Sequence, residues 1–188
     1  MARVAEKRRG RDAERTRQDI LAAAQKVFSE HGYAEAGVRE ITAIAGVNPA
    51  LVSRYFGSKL KLYEAALENA LDVQLITDLE KQSFGEQIVA RFAAPTGDRV
   101  NPLPIMIFGS SDSEARQIAL SLLHDRIVVP LRDWFGTADG ELRATRFMIF
   151  ATGFFTYRNM LPLPSLQNEL DGQSRAWLEA DFQRIVDD

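Results

Sequence analysis

Apolar residues recur at three- to four-residue intervals along most of this chain, and the breaks between runs fall on glycine, proline and capping residues. From Asp12 the pattern is helical, with Ile20, Ala23, Ala24, Val27 and Phe28 on one face. Gly32 ends this run, with His31 in its last turn and Tyr33 following as a packing residue. A second, short helix is expected over residues 38–45, turning Val38, Ile41, Ile44 and Ala45 inward. Gly46-Val47 makes a tight turn, because glycine enters the left-handed region without steric cost. Asn48 suits an N-cap and Pro49 the first position of a third helix, which runs to Tyr55 or Phe56. Gly57 stops it. Ser58 caps a long fourth helix from Lys59, with Leu60, Tyr63, Leu67 and Leu71 as its buried stripe.

The remaining pattern is also helical. One helix is expected over 84–94, followed by a proline-rich loop over 94–104 and a short apolar helix over 105–108. Residues 111–114, Ser-Asp-Ser-Glu, read as a capping box opening a helix through Leu120, Leu123, Ile127 and Leu131, bent near Pro130. Further helices are expected over 140–160 and 166–186. No alternating run or Asn-Gly hairpin predicts a strand, so the fold class is all-α.

Composition narrows the chemistry. The 188 residues, 46% hydrophobic, suffice for one or two cores. No apolar run approaches the ~20 residues that span a bilayer, and the N-terminal charges are not followed by an apolar stretch. Cysteine is absent, and the two histidines, His31 and His124, are not a ligand pair at helical spacing. No Gly-rich phosphate loop, G-x-S-x-G or HExxH occurs. The expectation is a cytoplasmic, non-membrane protein without catalytic residues, cofactor or metal. The net charge of −3 conceals a split: residues 1–60 carry +4 and residues 61–188 carry −7. A polyanion partner therefore belongs at the N-terminal end. Residues 1–11, with Lys7, Arg8, Arg9 and Arg11, read as a flexible basic arm, either a solubilising tail or an element touching phosphates or the minor groove.

The stretch 38–56 has the order of a helix-turn-helix, in which the second helix lies in the major groove. Val52 and Phe56 point to the core, leaving Pro49, Ala50, Ser53 and Arg54 outward, with Leu51 able to serve either side. Arg39 has the reach for a bidentate contact to guanine, in competition with an ion pair to Glu35 or Glu40. Asn48 is suited to adenine, in competition with capping. Tyr55 offers its hydroxyl to a phosphate or its ring to the core. Lys59 stands at a helix N-terminus that already favours an anion.

The segments ILAAAQKVFSEHGY (20–33), VREITAIAGV (38–47) and RYFGSK (54–59) together resemble the DNA-binding domain of the TetR family of transcriptional repressors. The resemblance implies an all-helical homodimer. Residues 12–58 would form the helix-turn-helix domain, and 59–188 a larger helical domain for effector binding and dimerisation, joined through the helix starting at Lys59. It also implies DNA contacts by Arg39, Tyr55, Lys59 and the recognition helix from Asn48 to Arg54, on a near-palindromic double-stranded operator, with a small-molecule effector as the second partner. Three positions depart from the family pattern. Gly37 replaces the usual hydroxyl residue before the second helix, Ser53 replaces a frequent aromatic, and Arg54 replaces a histidine. The Ser53 departure supports an alternative, a ligand-binding or scaffold protein of the same fold that has lost specific DNA binding. The stretch 151–166 is similar to the end of the penultimate helix in one subgroup, whose last two helices pair with their mates as a four-helix bundle.

Within the larger part, Phe92, Met106, Phe108, His124, Phe150, Phe154 and Arg158 are candidates for a largely apolar ligand site. Phe147, Phe155, Trp177 and Phe182 are candidates for the dimer interface, and plain core packing is the competing role for all of these apolar side chains.

Overall fold

The computed structural model of the protein describes residues 2–94, 100–167 and 169–188, with side chains from residue 11 onward. Every regular element among them is helical. In order they are α1 (Ala2–Glu35), α2 (Val38–Ile44), α3 (Ala50–Phe56), α4 (Lys59–Ala70), α5 (Gln74–Thr77), α6 (Phe84–Ala93), α7 (Pro102–Gly109), α8 (Ser113–Leu123), α9 (Val129–Phe135), α10 (Gly140–Phe155), α11 (Pro164–Gln167) and α12 (Gly172–Asp187). The chain divides into two compact units, Met1–Ala70 with Val100–Leu120, and Leu71–Arg99 with Ser121–Asp188.

The first unit closes around the face foreseen on α1. Ile20, Ala24, Val27 and Phe28 are fully buried with Ile41, Leu62, Tyr63, Leu67 and Ile105. The backbone is helical from Ala2, so the basic segment continues α1; the side chains of Lys7, Arg8 and Arg9 lie outside the described residues. At Gly32 the helix kinks, with φ 71°. A Cβ there would also stand 2.7 Å from the Phe108 carbonyl oxygen, so glycine is required twice over.

Three inward assignments need correction. Ile44 is 49% exposed, and Thr42 is buried instead, its hydroxyl donating to the Val38 carbonyl within α2. On α4 the buried face carries Leu62 and Ala66 with Tyr63 and Leu67, while Leu60 is only half-buried. The helix ends at Ala70 because Asp72 accepts from the Gln74 N–H and starts α5; Leu71 thus leaves the stripe and packs on the core of the second unit.

The second unit is built on α6, α9, α10 and α12, around Phe84, Ile88, Leu131, Ala144, Phe147 and Phe182. The bend near Pro130 is a π turn, His124–Val128, closed by the Val129 N–H on the His124 carbonyl. A second π turn, Thr156–Met160, ends the helix continued from α10, and the chain leaves helical geometry at Leu161 before Pro162. In the first of these the Pro130 ring would clash with the carbonyl four residues back, and the widened turn moves that carbonyl aside. The cap of α8 is Asp112, whose carboxylate accepts from the Glu114 and Ala115 N–H groups, rather than Ser111. Leu120 is 59% exposed and off the buried face. The expected last helix is broken: Asp171 accepts from the Ser174 N–H and caps α12 separately from α11.

Candidate nucleic-acid interface

The turn between α2 and α3 forms as its residues dictate. Gly46 takes φ 66°, and the Val47 N–H returns to the Thr42 carbonyl at 2.9 Å. Asn48 accepts from the Ala50 N–H at 2.8 Å through Oδ1, and Pro49 already has helical dihedrals. The Asn48 oxygen is therefore occupied by the cap, so bidentate pairing with adenine requires it to share that oxygen. Val52 and Phe56 are buried as i and i+4, which fixes the rotation of α3. Pro49, Ala50, Ser53 and Arg54 consequently lie exposed, with Leu51 half-buried between them. A seven-residue helix with this outer face presents small side chains first and a guanidinium after them, a shape that enters a groove without steric conflict.

Arg39, the second residue of α2, is exposed and has no ion pair among the described residues; the Glu40 carboxylate lies 3.4 Å from His31 Nε2. Gly37 supplies no side-chain cap to α2, as its lack of a hydroxyl dictates. Tyr55 is half-buried, with the Arg54 guanidinium 6.0 Å from its ring centroid. Ser58 accepts from the Lys61 N–H and caps α4. Lys59 folds back: its ammonium lies 4.6 Å from the Tyr33 ring centroid and donates to the Ala34 carbonyl at 3.3 Å. Partial burial lowers its pKa, and the Asp112 carboxylate opposes that shift. Arg17 was absent from the expected contacts, yet its guanidinium stands 5.3 Å from the Phe56 ring centroid, at the end of α3. The available signal was its position three residues before Ile20, on the rim of the buried face of α1.

The ligand candidates do not assemble into one site. Met106 and Phe108 belong to α7 in the first unit, where Phe108 lies against Gly32. Phe92, Phe150 and Phe154 join an aromatic cluster in the second unit, with ring centroids 6.1 Å apart for Phe92–Phe154 and 4.6 Å for Phe150–Phe182. His124 is exposed and bonded to Asp125 at 2.8 Å. Arg158 lines a pocket of about 350 Å³, with Ala90, Ala93, Ala94, Glu169, Leu170 and Arg175. Its guanidinium donates to the Leu166 and Ala93 carbonyls.

Among the interface candidates, Phe147 and Phe182 are core residues, 1% and 0% exposed, and have no surface to offer a partner. Phe155 is half-buried against Phe92 at 4.6 Å. Trp177 is 55% exposed, its ring edge to face with Phe150 at 5.8 Å. Leu142 and Ile149, one heptad apart on α10, are 51% and 70% exposed.

Residues 20–66 match the family "Bacterial regulatory proteins, tetR family", and residues 82–186 match "Tetracyclin repressor-like, C-terminal domain". Similar curated proteins include the HTH-type transcriptional repressor NicS of Pseudomonas putida, 43% identical over 61 residues, 32% of this chain and 29% of that protein. The HTH-type transcriptional dual regulator CecR of Shigella flexneri is 38% identical over 89 residues, 46% of this chain and 37% of that protein. The matched stretch thus spans well under half the length of either relative. Among solved structures, a TetR-family regulator from Streptomyces coelicolor A3 is 25% identical with a TM-score of 0.57, covering 93% of this chain and 96% of that one. A TetR-like transcriptional regulator from Rhodococcus sp. RHA1, 19% identical with a TM-score of 0.61, covers 90% of this chain and 94% of its own and shares the fold.

Proposed function

The chain belongs to the TetR family of bacterial regulatory proteins, and from that premise we propose that it is a homodimeric repressor that leaves a near-palindromic operator when a small, largely apolar effector binds. The observation that carries the DNA-binding part is the outer face of α3, where Pro49, Ala50, Ser53 and Arg54 are exposed while Val52 and Phe56 anchor the helix. Arg39 supplies base discrimination. Asn48, Leu51, Tyr55 and Lys59 flank that face, and the phosphate contacts among them set register without reading sequence. In a symmetric pair, two copies of α3 enter successive major grooves ~34–36 Å apart. Residues 12–58 act as the DNA-binding domain and 59–188 as the effector and dimerisation part.

The exposed apolar side chains of α10 and α12, Leu142, Ile149 and Trp177, favour self-association through those two helices. The pocket beside Arg158 is lined by Ala90, Ala93, Ala94 and Leu170 together with Glu169 and Arg175, and its apolar residues support a largely apolar effector. Such an effector shifts the DNA-competent population only by its differential affinity for the two conformations.

An electrophoretic shift with the region upstream of the protein's own gene tests the reading. Retardation by nanomolar protein, resistant to excess random duplex at moderate salt, is the expected result. Loss of specific binding under those conditions favours the ligand-binding or scaffold alternative.

A further inference from the structure

Arg17 stands outside the helix-turn-helix, yet it touches the helix that carries the reading face. Its guanidinium carbon lies 5.3 Å from the Phe56 ring centroid, within cation–π range. Phe56 is the last residue of α3, is 8% exposed, and directly follows Tyr55. Arg17 itself lies three residues before Ile20, the first buried side chain of α1 among the described residues. It therefore rests on the rim of the unit rather than in its core, with its side chain 39% exposed.

The polar end of Arg17 is not spent on the protein. Glu14 Oε1 is 3.8 Å from its Nη1, too far for a hydrogen bond, and that oxygen accepts from Gln18 Nε2 at 2.8 Å. The Arg17 side chain makes no hydrogen bond to another described residue. A guanidinium carries five N–H donors in a fixed plane, matched to two oxygens of one phosphate. Resting on a ring restricts its rotamers in advance, which lowers the cost of ordering it on a ligand. The same ring sets where the donors stand. α3 has seven residues, too few to hold its own place, and Val52 and Phe56 fix its rotation. Phe56 thus aims the outer face of α3 and seats Arg17 with one side chain.

We propose that Arg17 is a contact to the DNA backbone supplied by α1, and that its seat on Phe56 keeps it in register with the recognition helix. This rests on the reading of α3 as the duplex-facing helix. The charge split along the chain puts the polyanion partner at this end, with +4 over residues 1–60. The contact strengthens every duplex alike, since phosphates carry no sequence. A side chain that served only to cover Phe56 would need its apolar stem and not its charge.

The test is an anisotropy titration of the full chain, over a range of salt, with a duplex from the region upstream of its own gene and with a random duplex. Arg17→Met keeps an apolar stem over Phe56 and removes the charge. Arg17→Lys keeps the charge and removes the planar head. Arg15→Met removes one charge from an exposed residue about 200° around α1 from Arg17. Arg17→Met is expected to weaken both duplexes by about three- to five-fold at moderate salt and to reduce the slope of log K against log salt by ~1. Arg17→Lys is expected to keep the wild-type slope, and Arg15→Met to change it by less than half as much as Arg17→Met. Should Arg17→Met lower the unfolding midpoint, Arg17→Gln gives the same comparison with a polar head. An unchanged slope in Arg17→Met, an equal fall in Arg15→Met, or the same fall in Arg17→Lys overturns the proposal. Wild-type protein that binds neither duplex removes the duplex reading and this contact together; wild-type binding beside an unchanged Arg17→Met removes the contact alone.

Discussion

The two units treat the same kind of residue in opposite ways. In the first, the side chains with chemistry to offer are turned outward by a local rule: Val52 and Phe56 bury themselves, and the rest of α3 has nowhere to go but the surface. In the second, the aromatics that were candidates for a ligand site or an interface largely pack on one another, Phe92 against Phe155 and Phe150 against Phe182. A face defined within one short helix needs only periodicity. A cavity needs several elements to stay apart, and nothing in the spacing of phenylalanines says whether the space between them is filled.

The sharpest way to break this contrast is Phe182→Ala. As a fully buried residue of the aromatic cluster it should cost about 3–5 kcal/mol in denaturant unfolding of the full chain. Trp177→Ala, at an exposed position on the same helix, should stay within about 0.5 kcal/mol and weaken self-association instead. If Phe182→Ala unfolds normally and only separates subunits, the second unit does not pack this way. Next in size is Arg39→Ala, expected to lose ~1–3 kcal/mol of preference at one base pair in a saturation-mutagenised operator. Loss spread evenly over all positions would make Arg39 a backbone contact. Lys59→Ala should weaken all duplexes alike and reduce the slope of log K against log salt by ~1. An unchanged slope would remove Lys59 from the interface.

The smallest effect concerns Asp139, whose carboxyl is held below its ordinary 3.8 by a hydrogen bond from the Thr137 side chain and then by Arg143. A depressed folded-state pKa stabilises above the unfolded value, and that contribution is lost as pH falls through the folded value. Acid unfolding of Asp139→Asn should therefore lack a small part of the pH dependence seen below about pH 4. Identical acid titrations would show that the Arg143–Asp139 pair adds nothing.

How much was legible follows the same division. The caps at Asn48 and Ser58, the turn at Gly46 and the stop at Gly57 rest on single-residue chemistry and were readable one residue at a time. Ile44 was misassigned because polarity alone favoured it over Thr42, whereas a hydroxyl bonded to its own helix is easily buried. Asp112 and Ser111 compete for one capping role, and spacing could not rank them. The folding back of Lys59 was invisible, since it joins residues 33, 34 and 59 through packing that only the folded unit supplies.

The account turns on α3 reading duplex DNA in a symmetric pair. Hydroxyl-radical footprinting of the region upstream of the protein's own gene, at moderate salt, tests this directly. Two protected patches centred ~34–36 Å apart, related by a dyad and lost in Arg39→Ala with Lys59→Ala, are predicted. Uniform cleavage at protein concentrations that saturate any nonspecific binding, or one unpaired patch indifferent to those substitutions, would contradict it.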